Sequence, residues 1–227
     1  MMLYLFVYLI AAFVNHIDDT DETYGYFEPL HYLFAGYGMQ TWEYSPNFAI
    51  RTYAFITPLL GVMSVLKALL VNHPFIPKLA YFSIAKVILG LVTAFSSQTF
   101  ENSIRSVFGD RQASIFKYLM LLSPGIFYAS TSFLPSAVCM SLVMLSFAKL
   151  LSKQYFISIL YGCIAVLWTG WPFVGVVFLP IGVTILLDIG LHEGIRGIAA
   201  LAIKGAAILT IVLLSAATID ICYYKQR

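Results

Sequence analysis

Between His16 and His31 the chain reads His-Ile-Asp-Asp-Thr-Asp-Glu-Thr-Tyr-Gly-Tyr-Phe-Glu-Pro-Leu-His. Asp18, Asp19, Asp21 and Glu22 crowd together, Glu28 follows, and six of the eleven acidic residues of the chain lie between positions 18 and 43. Tyr24, Tyr26, Phe27, His31, Tyr32, Trp42 and Tyr44 are interleaved with them. Carboxylates accept bonds from hydroxyl groups and aromatic rings cover the apolar faces of sugars, so this mixture suits a carbohydrate pocket, with Glu28, His31, Trp42 and Glu43 as candidate substrate contacts. Two plainer origins stand beside that one. Acids are favoured at a helix N-terminus by its dipole, and Trp and Tyr collect at membrane interfaces. A calcium loop would need a mid-loop glycine and a closing bidentate Glu that this spacing lacks, so no metal site is expected.

Two cations are candidates for a phosphate. Arg51, the first Lys or Arg of the chain, closes the acidic stretch and can pair with a phosphate or with the acids. Lys86 lies in the middle of an apolar run at 78–99. A charge at mid-bilayer costs a few kcal/mol, so Lys86 is expected to face protein or water, as a phosphate partner or a helix-pairing cation, unless its long stem lets it snorkel.

The elements that must position these residues follow from composition. Of 227 residues 60% are hydrophobic and 11% charged, with mean hydropathy +0.87, against roughly 45–50% and about 25% for soluble domains. The class is therefore an all-α, polytopic helical membrane protein. A net charge of +2 gives no reason to expect nucleic acid. Cys139, Cys163 and Cys222 form neither a CxxC nor a disulfide pattern and read as small core residues. Apolar runs occupy about 1–16, 52–71, 78–99, 113–131, 133–150, 155–170, 172–188 and 198–219. The first lacks the basic flank and cleavage site of a signal peptide and reads as a retained span.

Lys and Arg mark the cytosolic side. Arg105, Arg111 and Lys117, then Lys149 and Lys153, then Arg196 and Lys204 fall at three turns, whereas 15–50 has no Lys or Arg. Parity then requires that 52–71 not cross; Pro58, Lys67 and the Asn72-His73-Pro74 break fit a re-entrant or interfacial helix. The expected architecture is about seven spans plus that helix. It forms one transmembrane domain over 1–227, incomplete at its C-terminus, with a first luminal loop at 17–76.

The segments Asp19–Tyr53, Phe133–Met140 (FLPSAVCM), Gly170-Trp-Pro-Phe173 and Ile219-Asp-Ile-Cys-Tyr-Tyr224 resemble glycosyltransferase family 22, the GT-C-type mannosyltransferases, and within it the α-1,2-mannosyltransferases of asparagine-linked glycosylation. Gly25 and Phe27 depart from the Asn and Trp common in that family. The resemblance implies a multi-pass protein of the endoplasmic reticulum membrane, first loop luminal. It implies transfer of mannose from dolichyl phosphate mannose, a co-substrate rather than a cofactor, to a dolichol-linked oligosaccharide, with membrane lipid around it and with inversion at the sugar. It also implies a general base in the first luminal loop, where Asp21 stands, with Asp19 and Glu22 as the reserves. Only the amino-terminal part of such an enzyme is matched, and the isolated chain is expected to be inactive. A glycolipid-anchor mannosyltransferase of the same family, a transporter and an inactive fragment are the alternatives.

Overall fold

A computed structural model describes residues 1–17, 19–69 and 77–225. Asp18 and the 70–76 stretch, which holds the Asn72-His73-Pro74 break, lie outside the described residues. Among the described residues every regular element is a helix, as the apolar composition requires: backbone that leaves water must satisfy its own hydrogen bonds, and a helix does so within one segment. The elements are α1 (Met2–Val14), a π-helical turn (Asp21–Phe27), α2 (Glu28–Ala35), a 3₁₀ turn (Trp42–Tyr44), α3 (Thr57–Leu69), α4 (Lys78–Phe108), α5 (Asp110–Leu122), α6 (Pro124–Ala129), α7 (Pro135–Leu151), α8 (Tyr155–Cys163), a second π turn (Ile164–Trp168), a 3₁₀ turn (Pro172–Val174) and α9 (Gly175–Lys225).

α4 is the central element, in contact with α1, α5 and α7. Its packing face carries Gly90, Thr93, Ala94, Ser96 and Ser97, small residues that let neighbouring backbones come close. A Cβ added at Gly90 would lie 3.2 Å from the Tyr8 carbonyl oxygen. α1 answers with Tyr4, Tyr8, Ala11 and Ala12 buried, while Leu3, Phe6, Ile10 and Phe13 point outward. Large apolar side chains are exposed on α1, α3, α4, α5 and α9, an arrangement suited to lipid rather than water.

Contacts define two ends of the bundle. At one end Asn15 of α1 meets Phe127 and Thr131, Phe133 meets Glu22, and Thr52 meets both Gly170 and Asp220. At the other, Glu101 of α4 meets Arg105 and Lys117, and Lys153 meets Asp188. Apolar segments pass from one end to the other along α1, α4, α5–α6, α7, α8 and both halves of α9. The basic residues named as cytosolic markers gather at the end remote from the acidic loop.

Several expectations are corrected. The run 113–131 is not one helix: Ser123 and Pro124 break it into α5 and α6, with Ser123 Oγ accepting from the Ile126 N–H, because proline at the first position of a helix is favoured and within one is not. The run 78–99 extends to Phe108, so Lys86 is not at its middle but near its starting end. Among the described residues, two stretches are long and apolar enough to cross a membrane, Lys78–Phe108 and Pro172–Lys225, and four shorter apolar helices accompany them. Seven spans therefore cannot be counted from helix length alone.

The runs 172–188 and 198–219 form one helical stretch with a reversal. A straight helix of the 51 residues of α9 would be about 77 Å long. Yet Gly170, before it, sits against Thr52, and Asp220, near its end, accepts a hydrogen bond from Thr52 Oγ1 at 3.0 Å. The chain doubles back at Gly194, whose φ of 64° and ψ of −154° only glycine adopts without strain.

α3 stays at the loop end of the bundle. Met63 packs in the cluster of Phe34, Tyr81 and Phe82, and Lys67 donates to the Phe34 and Ala35 carbonyls that end α2, at 2.9 and 3.4 Å. The second half of α3 thus packs on the loop, while Pro58, Leu59 and Val62 of its first half line a cavity with Ile88 and Val92 of α4.

Gly194→Ala should lower the stability of the detergent-solubilised chain by about 1–3 kcal/mol. Gly205→Ala, in the second half of α9 with open space around it, should raise stability by about 0.5–1 kcal/mol. Thermal unfolding of the two variants side by side checks the reversal; losses of equal size would contradict it.

Candidate active site

The acidic loop is folded around Arg51. Its guanidinium makes a forked pair with Glu43, Nε to Oε2 at 2.7 Å and Nη2 to Oε1 at 3.1 Å, and Nη2 also reaches Asp21 Oδ2 at 2.9 Å. The same group lies 4.6 Å from the centre of the Tyr26 ring. Burial alone would lower the Arg51 pKa, but the hydrogen bonds to Glu43 and Asp21 outweigh it and hold the pKa above its ordinary value. Burial pushes the Tyr26 hydroxyl up to about 12 against the opposing pull of Arg51. Gly25 is what makes room: a Cβ there would stand 2.4 Å from Arg51 Nη1. The departure to glycine at this position therefore has a steric reason in this chain.

The backbone of 51–53 is held from the far end of the sequence. Asp220 Oδ1 accepts from the Tyr53 N–H at 2.7 Å and from Thr52 Oγ1 at 3.0 Å, and the Tyr224 hydroxyl donates to the Arg51 carbonyl at 2.6 Å. Tyr53 packs between Tyr223 and Tyr224 with ring centres 5.0 and 4.9 Å away. None of these contacts could be assigned from sequence; the only signal was that the 219–224 segment belonged to the family resemblance.

The three candidate bases separate. Asp21 leads the π-helical turn with its side chain half exposed. Glu22, the next residue, is buried, and its Oε1 accepts from the Phe133 N–H at 2.9 Å, tying the first loop to the start of α7. Asp19 is exposed, and its Oδ1 accepts from the Asp21 N–H at 2.8 Å, which caps the turn.

The candidate substrate contacts divide too. Glu43 and Arg51 stand with Asp21. Glu28 pairs with Lys78, and His31 is buried against Phe34 and Tyr37, its Nδ1 3.1 Å from the Tyr37 carbonyl. Burial, with Lys78 adding to it, lowers the His31 pKa, so His31 is a neutral core residue. Trp42 is exposed and meets Phe48 edge-on. Lys86 is buried, as its cost in lipid demands, and donates to the Asn15 carbonyl at the end of α1 at 2.5 Å, a favourable place for a cation.

Two cavities meet here. A polar one of about 200 Å³ is lined by Asp21, Tyr26, Glu43, Arg51, Thr169 and Trp171, among others. An apolar one of about 270 Å³ runs beside it between α3, α4, α7 and the second π turn, past Phe55, Leu59, Ile88, Phe133 and Trp168. Thr169 lines both. Trp171 and Thr169 are site residues that sequence reasoning had not named. Among the described residues, no three His, Cys, Asp or Glu side chains come together as a metal site.

The Alg9-like mannosyltransferase family matches residues 1–227. The Arabidopsis thaliana α-1,2-mannosyltransferase ALG9 is 34% identical over 223 residues, covering 96% of this chain and 36% of that protein. The Homo sapiens ALG9 is 33% identical over 179 residues, 79% of this chain and 28% of that protein. The Saccharomyces cerevisiae ALG9 is 33% identical over 198 residues, 80% and 33% respectively. The chain spans about a third of the length of these relatives. No solved structure gives a significant match. The chain belongs to the Alg9-like mannosyltransferase family.

Glu22→Gln keeps an oxygen for the Phe133 N–H, whereas Glu22→Ala leaves that buried donor unmet at a cost of about 1–3 kcal/mol. Thermal unfolding should therefore separate the two, Ala well below Gln. His31 gives a pH test. With its folded pKa below the unfolded value of about 6.5, its contribution is present above that pH and lost as pH falls through the folded pKa. The wild-type midpoint should drop faster on acidification from pH 7 to 5 than that of His31→Gln.

Proposed function

We propose that this member of the Alg9-like mannosyltransferase family carries the base and the phosphate-facing cation of an inverting α-1,2-mannosyltransferase. Its donor is dolichyl phosphate mannose and its acceptor a dolichol-linked oligosaccharide, at the luminal face of the endoplasmic reticulum membrane. The observation that carries the reading is the pair of adjoining cavities. A sugar phosphate on an isoprenoid chain is polar at one end and apolar along the rest, and the two cavities sharing Thr169 have that division. The relatives are α-1,2-mannosyltransferases, which supports the choice of sugar and linkage.

In this reading Asp21 takes the proton of the acceptor hydroxyl while that oxygen attacks the anomeric carbon of the donor mannose. The bond from that carbon to the phosphate oxygen breaks, its electron pair leaves with the phosphate, and a β-linked donor becomes an α-linked product. An alcohol is a weak nucleophile until its proton is taken, and half-exposed Asp21 is the acid in the cavity that a substrate can approach. Arg51 supplies positive charge for the leaving phosphate; its fork to Glu43 keeps it in place when a second anion arrives. The seven passes between the two ends of the bundle, with the basic turns at the end remote from Asp21, support seven spans and a luminal first loop.

The test is a chimera in which this chain replaces the matching segment of the Saccharomyces cerevisiae relative, assayed with dolichyl phosphate mannose and a lipid-linked acceptor. Asp21→Asn should lower kcat by at least about 10²-fold, with little change in acceptor binding. Glu22→Gln and Asp19→Asn should lower it far less. A near-normal rate for Asp21→Asn beside a dead Glu22→Gln or Asp19→Asn would move the base to that neighbour.

A further inference from the structure

The end of the bundle remote from Asp21 holds the larger cavity, about 670 Å³, between the α7–α8 turn and the two arms of α9 on either side of Gly194. Its size falls within the roughly 300–1,000 Å³ of small-molecule sites. Its lining contains Lys153 and Lys204, Asp188 and Glu193, so the formal charges of these four balance.

The two acids are not equivalent. Asp188 is answered from within: the Tyr155 hydroxyl donates to it, Lys153 Nζ lies 3.5 Å away and His192 Nδ1 3.5 Å away. Glu193 has no cation within ion-pair distance among the described residues, and Lys204 has no carboxylate; its ammonium sits 4.7 Å from the centre of the Phe156 ring. One anion and one cation, both exposed and neither in an ion pair among the described residues, thus border the same space. Ile157, Ile189 and Ala200 supply an apolar wall, and at Gly197 a Cβ would stand 2.8 Å from Glu193 Oε2, so a side chain there would displace the carboxylate.

We propose that this cavity seats the headgroup of a zwitterionic aminophospholipid, its phosphate on Lys204, its ammonium on Glu193 and its chains along Ile157 and Ile189. A purely anionic headgroup would satisfy Lys204 and be opposed by Glu193, and a cation would do the reverse; a ligand with both charges answers both. The helices that form the cavity are apolar and outward-facing, which puts its mouth at a bilayer surface, where such lipids are the abundant molecules with that pair of charges. The proposal is independent of the catalytic reading, since the site lies at the opposite end of the bundle.

The chain would be placed in nanodiscs of equimolar phosphatidylethanolamine and phosphatidylglycerol, and the lipids that remain bound counted by native mass spectrometry. Phosphatidylethanolamine should be retained over phosphatidylglycerol by at least about fivefold, the size of effect one or two partly exposed ion pairs give. Lys204→Gln and Glu193→Gln should each abolish the preference, and the exchanged pair Glu193→Lys with Lys204→Glu should restore it. Lys117→Gln, at the separate Glu101 cluster, should leave it unchanged. Equal retention of the two lipids by the wild-type chain overturns the proposal without any variant. So does a preference for phosphatidylglycerol, or a preference that survives both single substitutions.

Discussion

A guanidinium cannot give up its proton at any accessible pH, so an arginine that leaves water must bring anions with it. Arg51, largely buried, meets that requirement with the forked bond to Glu43 and the single bond to Asp21. Asp21 is half exposed, so its arm of the pairing is screened by water, but the fork to Glu43, with both side chains mostly buried, constrains everything attached to it. Asp21 is fixed relative to Glu43 across the whole of α2. Tyr26 must present its face, and Gly25 must lack a side chain. The loop therefore cannot be a loose acidic tether; its path is set by one cation.

The same constraint explains why segments remote in sequence converge. Asp220 and Tyr224 hold the backbone that carries Arg51; Gly170, with φ of 67°, lets Thr52 pack against the turn before α9; the Phe133 amide is claimed by Glu22. Lys86 then secures the end of α1 at Asn15, just before the loop begins. Each of the four segments that carry the family resemblance contributes a contact to this one region. Their shared feature is position around Arg51, not participation in a common secondary-structure element.

Much of this was legible in the sequence because lipid imposes simple rules. Composition gave the all-α class, and the basic residues predicted which turns share an end. The inward orientation of Lys86 followed from the cost of its charge. What was not legible depended on tertiary choice. The break at Ser123–Pro124 lies inside an apolar stretch, where only local backbone chemistry marks the turn; the reversal at Gly194, by contrast, falls between the runs 172–188 and 198–219, where His192, Glu193 and Arg196 interrupt the hydropathy. His31 looked like a ligand by residue type, yet its place in an aromatic cluster makes it core. Asp220 could not be linked to Thr52 and Tyr53 by any spacing rule, since 167 residues separate it from the Tyr53 amide it receives.

The adjacent acids Asp21 and Glu22 give the sharpest case. By type and position they are nearly interchangeable, and a carboxylate of either could accept a proton. The π-helical turn that starts at Asp21 carries consecutive side chains to different faces. One ends in the polar cavity beside Arg51; the other is driven inward until its oxygen meets the Phe133 amide. A buried carboxylate whose acceptor oxygen is committed to a backbone N–H is poorly placed to meet a substrate hydroxyl, but well placed to hold two segments together. An exposed carboxylate with one bond to a cation retains lone pairs for an incoming donor. The division of labour between the two acids thus comes from the geometry of a single turn. That turn in turn depends on the glycine that lets Arg51 lie across it.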